Sequence, residues 1–132
     1  MVAITGRGRM IKRITYEDFA EIILNDDFAF SVDCGLPEKY ENEKLKYFAT
    51  EDEKCICAVR VTPEEAHIMH IESLQKGNGR KMIEYIIDMY YEEGERDITL
   101  TAYGSQNLVD YYKSVGFETI EPGSKEMVYV GD

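Results

Sequence analysis

Residues able to do chemistry gather first at Gln75-Lys76-Gly77-Asn78-Gly79-Arg80, where a β-patterned run gives way to a helical one. A helix N-terminus leaves backbone N–H groups unpaired and carries a partial positive charge. Glycines let that backbone approach a ligand closely, so a glycine turn opening a helix suits an anion. Lys76 and Arg80 add positive charge in an otherwise acidic chain, and phosphate is the natural ligand. The turn lacks the two glycines five apart followed by Lys and Ser/Thr of the nucleotide P-loop. It also lacks the third glycine of a dinucleotide fingerprint, whose place is taken by Met82.

The second cluster runs from Ser105 to Phe117. Ser105 suits a helix cap and Gly116 a helix stop. Leu108, Tyr112 and Val115 make an apolar stripe between them, so Tyr112 reads equally well as core.

Taken together, the two segments resemble the GNAT acetyltransferase superfamily over roughly residues 66–120. In that family a turn of the form Gln/Arg-x-x-Gly-x-Gly/Ala opens a helix and holds the pyrophosphate of CoA, as Lys76-Gly77-Asn78-Gly79-Arg80-Lys81 would here. About 30 residues later a helix ends in a pattern close to aromatic-Tyr-x-Lys/Arg-x-Gly-Phe, matched by Tyr111-Tyr112-Lys113-Ser114-Val115-Gly116-Phe117. Leu74 stands where the family usually has Gln or Arg, with Gln75 displaced by one. Ser105 replaces a frequent Asn, Leu108 a common Ala, and the usual Val-x-Pro before the turn is absent.

The resemblance implies transfer of an acetyl group from acetyl-CoA, as co-substrate, to a primary amine. An ammonium has no lone pair, so a base must first take its proton. The resemblance implies Tyr112 as the acid that assists the departing thiolate. Glu72 and His70, on one face of the strand nearest the thioester, are the candidates for the base, directly or through water. Backbone N–H groups from Ile71 to Ser73 would face the oxyanion. The cofactor-binding set is Ile71, Ser73, Leu74, Gln75, Lys76, Gly77, Asn78, Gly79, Arg80 and Ser105, with no metal.

Charge limits the partner. A net charge of −11 repels phosphate backbones and disfavours nucleic acid, whereas it steers a cationic amine, either a small molecule or a lysine side chain. A catalytically silent CoA-binding domain, or an acidic protein-interaction domain, is the alternative. No apolar run approaches the ~20 residues of a membrane span, and a cytoplasmic protein is expected. Cys34, Cys55 and Cys57 are odd in number and lack zinc-type CxxC pairing. Cys55 and Cys57 share one strand face and read as small core hydrophobes.

The elements that must position these residues follow from periodicity, and 132 residues suit one domain over 1–132. A strand at 10–14 precedes a helix capped by Thr15, with Phe19, Ile22 and Ile23 on its apolar face. Residues 26–43 are ambiguous: Phe28 to Val32 suits a strand, and Gly35-Leu36-Pro37 a turn or helix start. Strands at 47–50, 54–61 and 67–73 form a meander. In the last, Ile68, His70 and Glu72 alternate with His67, Met69, Ile71 and Ser73. A helix over 79–93 carries Met82, Ile83, Ile86, Ile87 and Tyr90 on one face and ends at Gly94. A strand at 97–103, a helix at 105–115 and a strand at 127–130 complete the chain. The expected fold is α/β (α+β): a mixed, mainly antiparallel sheet of six or seven strands with helices on both faces. One parallel pair, 67–73 with 97–103, splays to admit acetyl-CoA, and an edge strand is available for a homodimer.

Overall fold

A computed structural model of the protein describes residues 11–25, 45–75, 77–91, 96–102 and 106–131. The expectations for residues 26–43, Cys34, Lys76, Gly94 and Ser105 fall outside them.

The chain begins with β1 (Ile11–Ile14) and α1 (Tyr16–Asn25). Thr15 caps α1: its Oγ1 accepts the Asp18 N–H at 3.1 Å. Glu17 and Asp18 place negative charge in the positive first turn. The antiparallel strands β2 (Leu45–Thr50), β3 (Cys55–Val61) and β4 (Glu65–Ser73) follow. Then come α2 (Asn78–Tyr90), β5 (Asp97–Thr101), α3 (Gln106–Ser114), β6 (Phe117–Thr119) and β7 (Glu126–Tyr129). They build one seven-stranded sheet in the order β1-β2-β3-β4-β5-β7-β6. The single parallel pair, β4 with β5, is the expected one.

Alternation along β3 sorts the core into two layers. Cys55, Cys57 and Val59 face Met82, Ile83, Ile86 and Val109 of α2 and α3. Ile56 and Ala58 face Phe19, Ile22 and Ile23 of α1. Phe19 and Phe48 are fully buried on opposite faces, and each such side chain contributes roughly 1.5–3 kcal/mol. Both Cys55 and Cys57 are free and buried. Burial pushes the Cys55 thiol up to about 12 and the Cys57 thiol well above its usual value.

Several boundaries differ from the periodic reading. β4 starts at Glu65 because Thr62 closes the preceding turn early: its N–H donates to the Glu65 carbonyl at 2.9 Å. β6 was not anticipated. It has three residues and only Phe117 fully inward, too short for period two to register. The larger correction concerns β4. Ala58 opposes His70 while Val59 opposes Ile68, so Met69 is an extra residue, a β-bulge. The strict alternation expected for residues 67–73 therefore fails. Ile68 and Ile71 both pack toward α2 and α3, and Met69 toward α1. His70 and Glu72, opposite Ala58 and Ile56, lie on the α1 face.

Candidate active site

The bulge marks where the parallel strands part. Pairing between β4 and β5 stops at Ile68 opposite Leu100, yet β4 runs on to Ser73. A cavity of about 220 Å³ opens there. Its walls are residues 68–71 of β4, Leu100 and Thr101 of β5, and Leu108 and Tyr112 of α3. Strand ends that no longer hydrogen-bond each other leave backbone donors and acceptors free for a ligand. Ile71 thus stands at the cavity.

Ser73 and the residues after it form the turn. Ser73 Oγ accepts the Gln75 N–H at 3.2 Å and donates to the Gln75 carbonyl, so Ser73 shapes the turn. Leu74 gives its N–H to the Lys54 carbonyl at 2.7 Å and packs its side chain toward α1. Gly77 adopts φ +93°, a left-handed conformation that favours glycine, and no side chain caps α2. Asn78 is buried, and its Nδ2 has no partner among the described residues. An unpaired buried donor beside an uncapped helix N-terminus is costly unless an acceptor arrives. A phosphate oxygen is such an acceptor, and the residues present fit one. Arg80 is exposed and pairs with Glu84 at 3.2 Å, a contact worth little in water and readily exchanged for a phosphate.

Gly79 links the turn to α3. A Cβ built there would meet Ser73 Cβ at 3.8 Å and the Tyr111 hydroxyl at 3.9 Å. Tyr111 lies off the Leu108–Tyr112–Val115 stripe. That same offset turns it away from the core and over the turn. Tyr112 is buried, in edge contact with Tyr111 at 5.3 Å and Phe117 at 6.0 Å. Burial, then the neighbouring Tyr111 and Cys57, pushes its phenol up to about 12.

Across the sheet, His70 Nε2 lies 3.3 Å from Glu72 Oε1. Burial lowers the His70 pKa more than Glu72 raises it, so the ring is neutral at pH 7. Tyr112 and the Glu72–His70 pair therefore occupy opposite faces of the sheet.

The Gly116-Phe117 ending has a structural cause. Gly116 adopts φ +107°, and a Cβ there would lie 2.7 Å from the Tyr129 ring. Its carbonyl accepts the N–H groups of Val130 and Gly131, tying the end of α3 to the end of β7.

A mixed sheet with a splayed parallel pair, and a glycine turn opening the crossover helix, defines an acyl-CoA acyltransferase architecture. Residues 15–127 match the family model described as "Acetyltransferase (GNAT) domain", and the chain belongs to that family. No curated protein matches it by sequence. Solved structures share its fold at low identity. Arabidopsis thaliana Naa50, in complex with the bisubstrate analogue CoA-Ac-MVNAL, has a TM-score of 0.64 and 17% identity, over 95% of this chain and 99% of that one. The PaiA N-acetyltransferase from Thermoplasma acidophilum, in complex with coenzyme A, has 0.62 and 13%, over 92% and 98%. AtaTR bound with AcCoA has 0.67 and 11%, over 91% of each chain.

Proposed function

We propose that the protein transfers the acetyl group of acetyl-CoA to a primary amine on a cationic acceptor, either a small molecule or a lysine side chain. The observation that carries this reading is the cavity where β4 and β5 part, with Tyr112 in its wall. The three structural relatives bind coenzyme A, its acetyl thioester or an acetyl-CoA conjugate. By analogy the pyrophosphate lies on the turn that Gln75, Gly77, Asn78, Gly79 and Arg80 frame and the pantetheine arm passes Ile71, with Lys76 and Ser105 as further expected cofactor contacts. No helix among the described residues is long and apolar enough to cross a membrane, and the reading places the protein in the cytoplasm.

The amine nitrogen attacks the thioester carbonyl carbon; the C–N bond forms and the C–S bond breaks. Backbone N–H groups near the bulge stand toward the developing oxyanion. The sulfur leaves as thiolate toward Tyr112. A phenol held at about 12 is a weaker acid than an ordinary thiol near ~8.5. Its larger contribution is therefore the hydrogen bond it holds to sulfur as charge builds, with proton transfer following. On the opposite face the acidic side chains, Glu72 beside neutral His70 among them, draw a cationic acceptor toward the sheet. Binding both substrates in one cleft supplies the remaining rate.

The test is release of free CoA thiol from acetyl-CoA in the presence of polyamines, diamines and lysine-containing peptides. Amine-dependent release with an N-acetylated product supports the transferase. Acetyl-CoA binding without turnover of any amine would replace it with a silent CoA-binding domain.

A further inference from the structure

A second cavity, of about 300 Å³, opens on the α1 face of the sheet, where β3, β4, β5 and β7 come together. It shares Leu100 and Thr101 with the cavity of the splay, so a group seated in it stands beside the bulge. His67 lies in its wall, one residue before the strands part.

The polar groups there form a directed chain. Thr99 Oγ1 donates to Glu65 Oε1 at 2.9 Å. A hydroxyl has one proton, so at the 2.8 Å contact between Thr99 Oγ1 and His67 Nδ1 the imidazole must donate. Glu65 is anchored in turn by Arg60, whose Nη2 lies 3.2 Å from Oε2. Neutral His67 is thereby held as the Nδ1–H tautomer, with its lone pair on Nε2. Nε2 has no partner among the described residues.

We propose that this cavity receives the acceptor amine and that Nε2 of His67 is the general base for acetyl transfer, with Thr99 and Glu65 as positioning residues. The inference rests on the transferase reading above. The amine arrives as an ammonium, drawn by the carboxylates of Glu65 and Glu126 on the cavity wall. One N–H proton passes to Nε2, and the freed nitrogen lone pair attacks the thioester carbon at the splay. The C–S bond breaks and Tyr112 protonates the sulfur; the second N–H proton, shed by the attacking nitrogen as the amide forms, restores Tyr112 through water, and His67 returns the first to bulk water. The charged groups facing His67 are Glu65 on β4, Arg60 on β3 and Glu126 on β7. Burial, aided by Arg60, outweighs the two carboxylates and lowers the ring's pKa below 6.5, so it is neutral at pH 7. Glu72 is the weaker candidate: it lies beyond the bulge, engages His70, and lines neither cavity.

The experiment compares wild type, His67→Gln, Thr99→Val, Thr99→Ser and Glu72→Gln. Each is assayed with acetyl-CoA against ordinary alkylamines and against 2,2,2-trifluoroethylamine, which is already neutral at pH 7. Loss of the base should cost ~100-fold or more in kcat/KM with alkylamines. It should abolish the acid limb of the pH profile and spare trifluoroethylamine. Thr99→Val should slow alkylamines and shift that limb, and Thr99→Ser should restore both. A His67→Gln enzyme with the wild-type rate and limb overturns the assignment, more so if Glu72→Gln loses both. A wild type that binds acetyl-CoA but acetylates no amine overturns the transferase reading, and the base with it.

Discussion

The hydroxyl of Tyr111 stands 3.9 Å from the point where a Cβ would sit on Gly79. The residue after it, Tyr112, lines the cavity at the splay. One step along α3 thus spans from the glycine turn, the proposed phosphate seat, to the cavity proposed for the reaction. The two phenols should separate binding from chemistry. Tyr111→Phe should weaken acetyl-CoA binding several-fold, the share of one hydrogen bond to a charged group, and leave kcat close to wild type. Tyr112→Phe should lower kcat by ~10–100-fold with little change in acetyl-CoA affinity. Steady-state kinetics on both variants, with calorimetry for affinity, distinguishes them. Equal effects on both parameters would contradict the division.

The Tyr112 phenol is held at about 12, so it stays protonated across the working range. The kcat profile should show no alkaline limb below pH ~10 that disappears in Tyr112→Phe. A limb near pH 8 that vanishes in the variant would mean the phenol is far more acidic than its burial allows.

Gly116 makes a purely structural prediction. Its positive φ and the Tyr129 ring 2.7 Å from an added Cβ mean that Gly116→Ala strains the backbone and clashes as well. The expected loss is above ~2 kcal/mol, measured by urea denaturation. Thr15→Ala, which removes only the α1 cap, should cost ~1 kcal/mol. A Gly116→Ala protein as stable as wild type would refute the packing account of the Gly-Phe ending.

His67 and His70 both have folded pKa values below the usual 6.5, chiefly through burial. Below pH ~6.5 the unfolded chain binds more protons at these rings than the folded one, so acid favours unfolding. Their contribution is intact above pH ~6.5 and declines as pH falls through that value toward the folded pKa values. The Tm difference between pH 7.5 and pH 5 should therefore be smaller in a His67→Gln/His70→Gln variant than in wild type. An unchanged difference would place both rings in water.

The sheet and most of its helices were legible because period-two and helical stripes reflect burial directly. Phe19, Ile22, Ile23, Met82, Ile83, Ile86 and Ile87 are all buried as their spacing implies. The glycine turn was legible because Gly77 has a backbone need visible in its identity. The bulge at Met69 was not, since an extra residue in β4 changes no residue type and only reverses the faces beyond it. Reading straight alternation through it put Ile71 on the wrong side of the sheet relative to Ile68. The His67–Thr99–Glu65 chain was hidden for another reason. Its members lie 32 and 34 positions apart and meet only through the parallel register of β4 and β5.

The most direct test of the account is calorimetric titration of acetyl-CoA into wild type and Gly79→Glu. A side chain at Gly79 meets only ordinary contacts at its Cβ, so the variant should fold, while its carboxylate places negative charge at the proposed pyrophosphate seat. The expected result is saturable micromolar binding to wild type and at least tenfold weaker binding to a variant with an unchanged circular dichroism spectrum and Tm. Equal affinity in both proteins would move the cofactor away from this turn, and no binding to wild type would contradict the acetyl-CoA reading itself.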